Sequence, residues 1–209
     1  MSAATARTDR AEATRQRILS AAERLFAERG VFAVSNRQIS EAAGQGNNAA
    51  VGYHFGTKSD LLLAIVRKHS GPVEQRRAEL LEAVQADSVR SWLGCLVRPS
   101  TDYHASLRDS TLARFSTQLM TDPALRPLVV EESLAQPSLQ RTMDGLNACL
   151  PDLPLPAKVA RNDMTRHLMV HMCAEQERAI AEGTARLSWQ QTADQLVDAL
   201  TGLWLAPTS

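Results

Sequence analysis

Aromatic residues are scarce in this chain of 209 residues: Phe, Trp and Tyr together make up 4%. Strand signals are scarcer still. There is no sustained alternation of apolar and polar residues, and no Asn-Gly or Asp-Gly pair sits between β-branched runs, which excludes sandwiches, barrels and meanders. Long apolar runs are also missing. The longest, "LLLAIV" at Leu61 to Val66, is far short of the roughly 20 residues that a membrane-spanning helix needs. The opening residues "MSAATARTDR" lack the apolar core of a secretory signal. We therefore expect a soluble, cytoplasmic protein with no membrane partner. Three cysteines, Cys95, Cys149 and Cys173, are too few and too scattered for a disulfide framework or a metal site, and are read as reduced, buried thiols. No His-Glu-x-x-His, no phosphate loop and no array of nucleophile, base and orienting group is present, so neither a cofactor nor an enzymatic role is expected.

What remains is helical. Apolar residues make up 44% of the chain, enough for a sizeable core, and they recur at helical spacing throughout. Asp9 and Glu12 start a first helix that carries Ile18, Ala22, Leu25 and Phe26 to a stop at Gly30. Ser35 and Gln38 start a second, closed by Gly44. Asn47 or Asn48 caps a short third helix reaching Tyr53, with Gly56 behind it. Thr57 and Asp60 open a fourth, which Gly71-Pro72 is expected to break or bend. Further helices are read over 73–86, 88–98, 106–120, 124–150 with a break near Pro137, 156–182 and 188–204.

Charge divides the chain. Residues 1–70 hold ten Lys or Arg against six Asp or Glu, a net of +4, and residues 71–209 hold 13 against 17, a net of −4. The expected architecture is all-α: a basic three- or four-helix bundle with a helix-turn-helix over residues 1–70, its first nine a disordered arm, and a larger acidic helical domain over 71–209.

The stretch "AGQGNNAAVGYHFGTKSD", residues 43–60, follows a short helix with a tight Gly-containing turn and another short helix, the pattern whose second helix can lie in the DNA major groove. Gln45, Asn47 and Asn48 carry amides able to donate to and accept from base edges, and Ala49 allows close approach. Tyr53, His54 and Lys58 present polar or cationic tips suited to phosphate, Phe55 is a packing anchor, and Arg37 and Thr57 flank the surface.

The blocks "RILSAAERLFAERG", "SNRQISEAAG" and "YHFGTKSDLL" resemble, in order and spacing, the TetR/AcrR transcriptional regulators. From Gly44 to Phe55 the chain is one residue longer than is usual there, which leaves Asn47 and Asn48 as alternative base readers. The resemblance implies a homodimer that binds a near-palindromic double-stranded operator, usually as a repressor, and whose larger domain binds a small-molecule effector that changes the spacing of the two heads. It also implies phosphate contacts at Tyr53, His54 and Lys58, with residues 48–52 facing the bases.

In the acidic half, the apolar middle of the 156–182 helix and the broad stripe of the last helix read as a dimer surface, with Met172, Leu196, Leu200 and Leu203 as its candidates. Trp92, Phe115, Met120 and Met143 are candidates for an effector pocket. His167 and His171 share a helix face, but no third ligand is in register. The competing readings are an all-helical enzyme acting on a small molecule and a DNA-binding module without a ligand.

Overall fold

The computed structural model describes residues 3–83 and 87–208, with side chains from residue 8 onward. Ten helices run through them: α1 Ala3–Arg29, α2 Asn36–Ala42, α3 Ala50–Phe55, α4 Lys58–Ala83, α5 Val89–Ser106, α6 Leu112–Thr121, α7 Arg126–Leu134, α8 Pro137–Cys149, α9 Leu155–Ala181 and α10 Trp189–Leu205. Among the described residues there is no strand, and no helix is long and apolar enough to cross a membrane.

The helix ends follow local chemistry. Ser35 with Gln38, Ser88 with Ser91 and Ser188 with Gln191 form reciprocal capping boxes, each satisfying two backbone donors that a helix start leaves orphaned. Gly44, at φ +67°, closes α2 in a left-handed turn: its own N–H reaches Glu41 O and the next N–H, of Gln45, reaches Ser40 O, the paired bonds of a Schellman motif.

Three expectations are corrected. Residues 3–9, read as part of a disordered arm, continue α1 as helix; their alanines are strong helix formers and no breaker precedes Asp9. Residues 1 and 2 lie outside the described chain, as do 84–86 at the end of the 73–86 segment. The Gly71-Pro72 break is absent, and α4 passes straight through it. His69, Arg77 and Leu81 are buried on either side of the proline, and packing on α5 and α8 holds a helix whose local propensity is poor. Pro99 likewise lies inside α5, buried, so that helix runs eight residues beyond its expected end at 98.

Two apolar cores result. The first gathers Ile18, Phe26, Ile39, Val51, Phe55, Leu61 and Ile65 of the N-terminal helices, but it also takes in Tyr103, Leu112, Phe115 and Leu119 from α5 and α6. The Phe26 and Phe115 rings stack at 6.2 Å between centroids. The expected division near residue 70 therefore falls within one continuous helix and beside a shared core. The second core joins Leu93, Val97, Leu146, Leu196, Leu200 and Trp204.

Two buried charges tie helices end to end. Glu177 of α9 accepts hydrogen bonds from the backbone N–H groups of Ala113 and Arg114, 3.0 Å each, and so caps α6, whose own Thr111 makes no side-chain cap bond. Arg161 of α9 donates to Trp204 O at 2.6 Å and Ala206 O at 2.5 Å at the end of α10. An anion at a helix start and a cation at a helix end both suit the helix dipole.

Candidate nucleic-acid interface

The helix-turn-helix consists of α2, the 43–49 turn and α3, carried on α1 and α4. Val51 and Phe55 turn inward, which leaves the opposite side of α3 to solvent. Asn47 closes the turn: its Oδ1 accepts from Ala49 N at 2.9 Å, and its carbonyl accepts from Ala50 N at 3.1 Å. Its amide oxygen is thus spent on holding the start of α3, a common use of Asn in turns. Asn48 is exposed, and only its backbone carbonyl is engaged, by the Ser40 hydroxyl at 3.4 Å. Ala49 is exposed beside it. Gln45 is half-buried, its amide nitrogen turned back onto Ala43 O at 3.0 Å.

At the far end of α3, Tyr53 is 86% exposed, with its ring edge-on to His54 at 5.2 Å. Phe55 is buried as expected. Arg15, which the sequence pattern did not single out, reaches across from α1: its guanidinium lies 4.3 Å from the Phe55 ring centroid and donates to His54 O at 3.0 Å. It pins the end of α3 by stacking and by one charged hydrogen bond. Nothing in the local sequence marks this residue, because the partner is 39 positions away.

Lys58 has a different setting from the one expected. Its ammonium donates to Val34 O at 2.6 Å and Val31 O at 3.1 Å, tying the α1–α2 loop to the start of α4. Two of its three donors are thereby committed, so a phosphate contact is at most a shared duty. Thr57 is similarly occupied: its Oγ1 is 2.6 Å from Asp60 Oδ2, and the two exchange backbone bonds at 3.0 and 3.1 Å. These bonds from Thr57 hold the Asp60 carboxyl below the usual range. Arg37 is exposed on α2 and paired with Glu41 at 2.8 Å. The accessible polar edge therefore comprises Arg37, Asn48, Ala49, Tyr53 and His54, with Asn47, Thr57 and Lys58 holding the frame behind it.

Residues 18–65 match the model of the bacterial regulatory proteins of the TetR family. This segment of the chain is therefore similar to the DNA-binding part of TetR family regulators. Two relatives match a little over half of the chain. The transcriptional repressor AcnR of Corynebacterium glutamicum is 34% identical over 119 residues, 56% of this chain and 57% of the repressor. AcnR of Corynebacterium efficiens is 35% identical over 114 residues, 54% of each protein. The chain thus spans about half the length of the relatives it matches. Among solved structures, a TetR family regulator from Marinobacter aquaeolei aligns with a TM-score of 0.61 at 18% identity, covering 92% of this chain and 97% of that one. NalD of Pseudomonas aeruginosa, the secondary repressor of the MexAB-OprM efflux pump, aligns at 0.58 and 23% identity over 95% of this chain and all of its own. FadR of Bacillus subtilis, solved with stearoyl-CoA, aligns at 0.59 and 16% over 89% and 97%. At these identities the likeness is one of fold, and it extends along both halves of the chain.

The four pocket candidates are largely corrected. Only Phe115 lines the cavity of about 210 Å³ that opens among α4 to α8. Trp92 and Met143 pack against the second core, where the Trp92 indole lies so close over Gly145 that a Cβ there would run into it. Met120 is half-buried on α6, its carbonyl accepting from Arg166 of α9 at 3.3 Å. The dimer candidates divide in the same way: Leu196 and Leu200 are buried in the chain's own core and Leu203 is half-buried against it, because α10 packs its apolar stripe on α5. Met172 alone of the four is exposed, at 41%. His167 and His171 are exposed and stacked at 5.8 Å. Cys95 and Cys173 are buried and Cys149 half-buried; burial pushes the Cys173 thiol up to about 12, which makes it a poor nucleophile.

Proposed function

We propose that the protein is a transcriptional repressor that binds a near-palindromic DNA site as a homodimer, reads it through the turn and first residues of α3, and responds to a small molecule held among α4 to α8. The observation that carries this reading is the exposed edge of the helix-turn-helix, with Asn48 free beside Ala49 while Asn47, Arg15 and Lys58 hold the frame. A preorganised scaffold that leaves one amide open at a small-residue surface suits base readout. Tyr53 and His54 would contact the backbone and position the head. Of the two registers we take Asn48 as base reader, since the Asn47 amide oxygen is already bonded and the Asn48 side chain is exposed.

Dimerisation is assigned to α9. Met164, Leu168 and Met172 recur every four residues and form one stripe along α9, with Met164 half-exposed and Met172 nearly so. A second copy covering that stripe would remove it from water. The effector reading rests on the cavity, which lies between the two cores and shares Phe115 with the core of the DNA-reading helices. A binding selection from random duplex DNA tests the whole reading: an enriched inverted repeat with half-sites about one helical turn apart is expected, whereas enrichment of an unsymmetric site, or of none, would reject it.

A further inference from the structure

We propose that the cavity among α4 to α8 takes a small organic carboxylate carried on an apolar body, with Arg77 receiving the acid group. This rests on the reading of the cavity as the effector site and adds the chemistry of the effector. The body of the ligand is specified by Val66, Val73, Leu112, Phe115, Leu119 and Val129, which supply the apolar part of the wall. At about 210 Å³ the space is below the roughly 300–1,000 Å³ of sites for drug-sized ligands, so the occupant is small.

The acid group is specified by what the cavity leaves unsatisfied. Arg77 lines it and is only 6% exposed. Its ion pair is with Glu74, through one long bond of 3.3 Å from Nη1. That carboxylate is already engaged by the start of α8: Ser138 N donates to it at 2.7 Å and Ser138 Oγ at 2.5 Å. The Nε of Arg77 is buried without any hydrogen-bond partner. A buried guanidinium held by a single stretched bond is an unfavourable arrangement unless something supplies the missing acceptor. A second orphan lies on the same wall. Nδ1 of His104 is buried without a partner, and Ser100, Ser116 and Gln136 add neutral hydrogen-bonding groups.

The charge balance selects a carboxylate over a phosphate. Of the lining residues, Arg77 is the one permanent cation, and Glu74 offsets part of it. His69, the other ring on the wall, is engaged by Glu23 at 2.8 Å and Tyr103 at 2.9 Å. A monoanion matches this site, and a planar carboxylate matches the fork of a guanidinium. A dianion would bring a second buried charge with nothing to meet it.

Calorimetry on the full chain with octanoate and 3-phenylpropionate, each set against its primary amide, tests the proposal. The acids are expected to bind about tenfold or more tightly than the amides, and Arg77→Met should erase that difference while Arg77→Lys keeps part of it. Arg77→Met is checked by circular dichroism; if it does not fold, the acid-to-amide ratio of the wild type and of Arg77→Lys decides. Equal binding of acids and amides, or no saturable binding of either acid, would overturn the proposal. A parallel titration on the selected DNA separates the two readings: tight acid binding with no change in DNA affinity keeps the carboxylate site and refutes the effector role.

Discussion

A lysine at the first turn of a helix is disfavoured by the dipole, and in Lys58 the compensation is two carbonyl oxygens from the α1–α2 loop. We expect Lys58→Met to lower unfolding stability by about 1.5–3 kcal/mol, the usual contribution of hydrogen bonds to a charged group, seen as a lower urea midpoint at unchanged slope. The salt dependence of DNA affinity reports separately on its third donor: flattening by about one unit would place a phosphate there. Asn47 and Asn48 should separate in the same way. Asn48→Ala is expected to lose about 1–3 kcal/mol per half-site on the best DNA site and far less on random duplex. Asn47→Ala should instead cost about 1 kcal/mol of stability as a lost turn hydrogen bond, with specific and non-specific binding affected alike. Fluorescence titrations on both DNAs, paired with urea melts, distinguish the two. His104 offers a pH signature. Burial, helped by His69 and opposed by the charges of Glu177 and Glu23, brings it down from 6.5 to about 4, so the folded ring stays neutral while the unfolded one takes up a proton. Stability then falls as pH drops from about 6.5 to about 4, by up to ~3 kcal/mol at 1.36 kcal/mol per unit, and no further below that. His104→Gln should flatten this part of the stability curve, and identical curves would contradict the assignment.

At the scale of elements, the helices that diverge from expectation do so where distant contacts outweigh local preference. Gly71-Pro72 and Pro99 both sit where a chain read locally should stop, yet α4 and α5 continue because each buries residues on both sides of the proline. At the start of α6 the Thr111 side chain makes no cap bond; Ser110 holds the N–H of Leu112, and the next two N–H groups take Glu177 from a helix some 60 residues later. Glu177→Gln is expected to destabilise the fold by about 1–3 kcal/mol, since one buried acceptor becomes a donor facing a backbone N–H. Thermal melts of the purified variant measure this. Leu200 illustrates the converse. Its apolar stripe was read as a dimer surface, but the helix spends that stripe on α5, so Leu200→Asp should unfold the chain rather than divide a dimer.

At the scale of the molecule, the surface proposed for a second copy is the Met164, Leu168 and Met172 stripe. Met172→Glu is expected to give a folded monomer by sedimentation, because its side chain is already partly solvated in the single chain. Affinity for the full DNA site should drop steeply, as the second head is no longer tethered near its half-site. A dimer of undiminished affinity would move the interface elsewhere. The path from cavity to DNA head is short. Glu23 of α1 meets His69 of α4, which meets Tyr103 of α5, and the latter two line the cavity. Burial pushes the Glu23 carboxyl up, but the His69 hydrogen bond and charge, with Lys68 nearby, outweigh it and leave it below the usual range. His69→Phe should therefore weaken the link between cavity and head, measured as a smaller change in DNA affinity on adding a bound ligand.

Local order alone determined the all-helical class, the three capping boxes, the turn at Gly44 and the block from Arg15 to Val66 that carries the family likeness. These are short-range features, each decided by residues within a few positions of one another. Only tertiary structure decided which way the stripes face. An amphipathic pattern states that a helix has an apolar side, not what covers it, so Leu196 and Leu200 could not be told from a dimer surface, nor Trp92 and Met143 from a pocket wall. The partners of Arg15, Lys58 and Glu177 lie far along the chain. The cavity exists because α7 and α8 close over α4 and α5, and its Arg77 is left unsatisfied because Ser138 of another helix takes up the Glu74 carboxylate beside it.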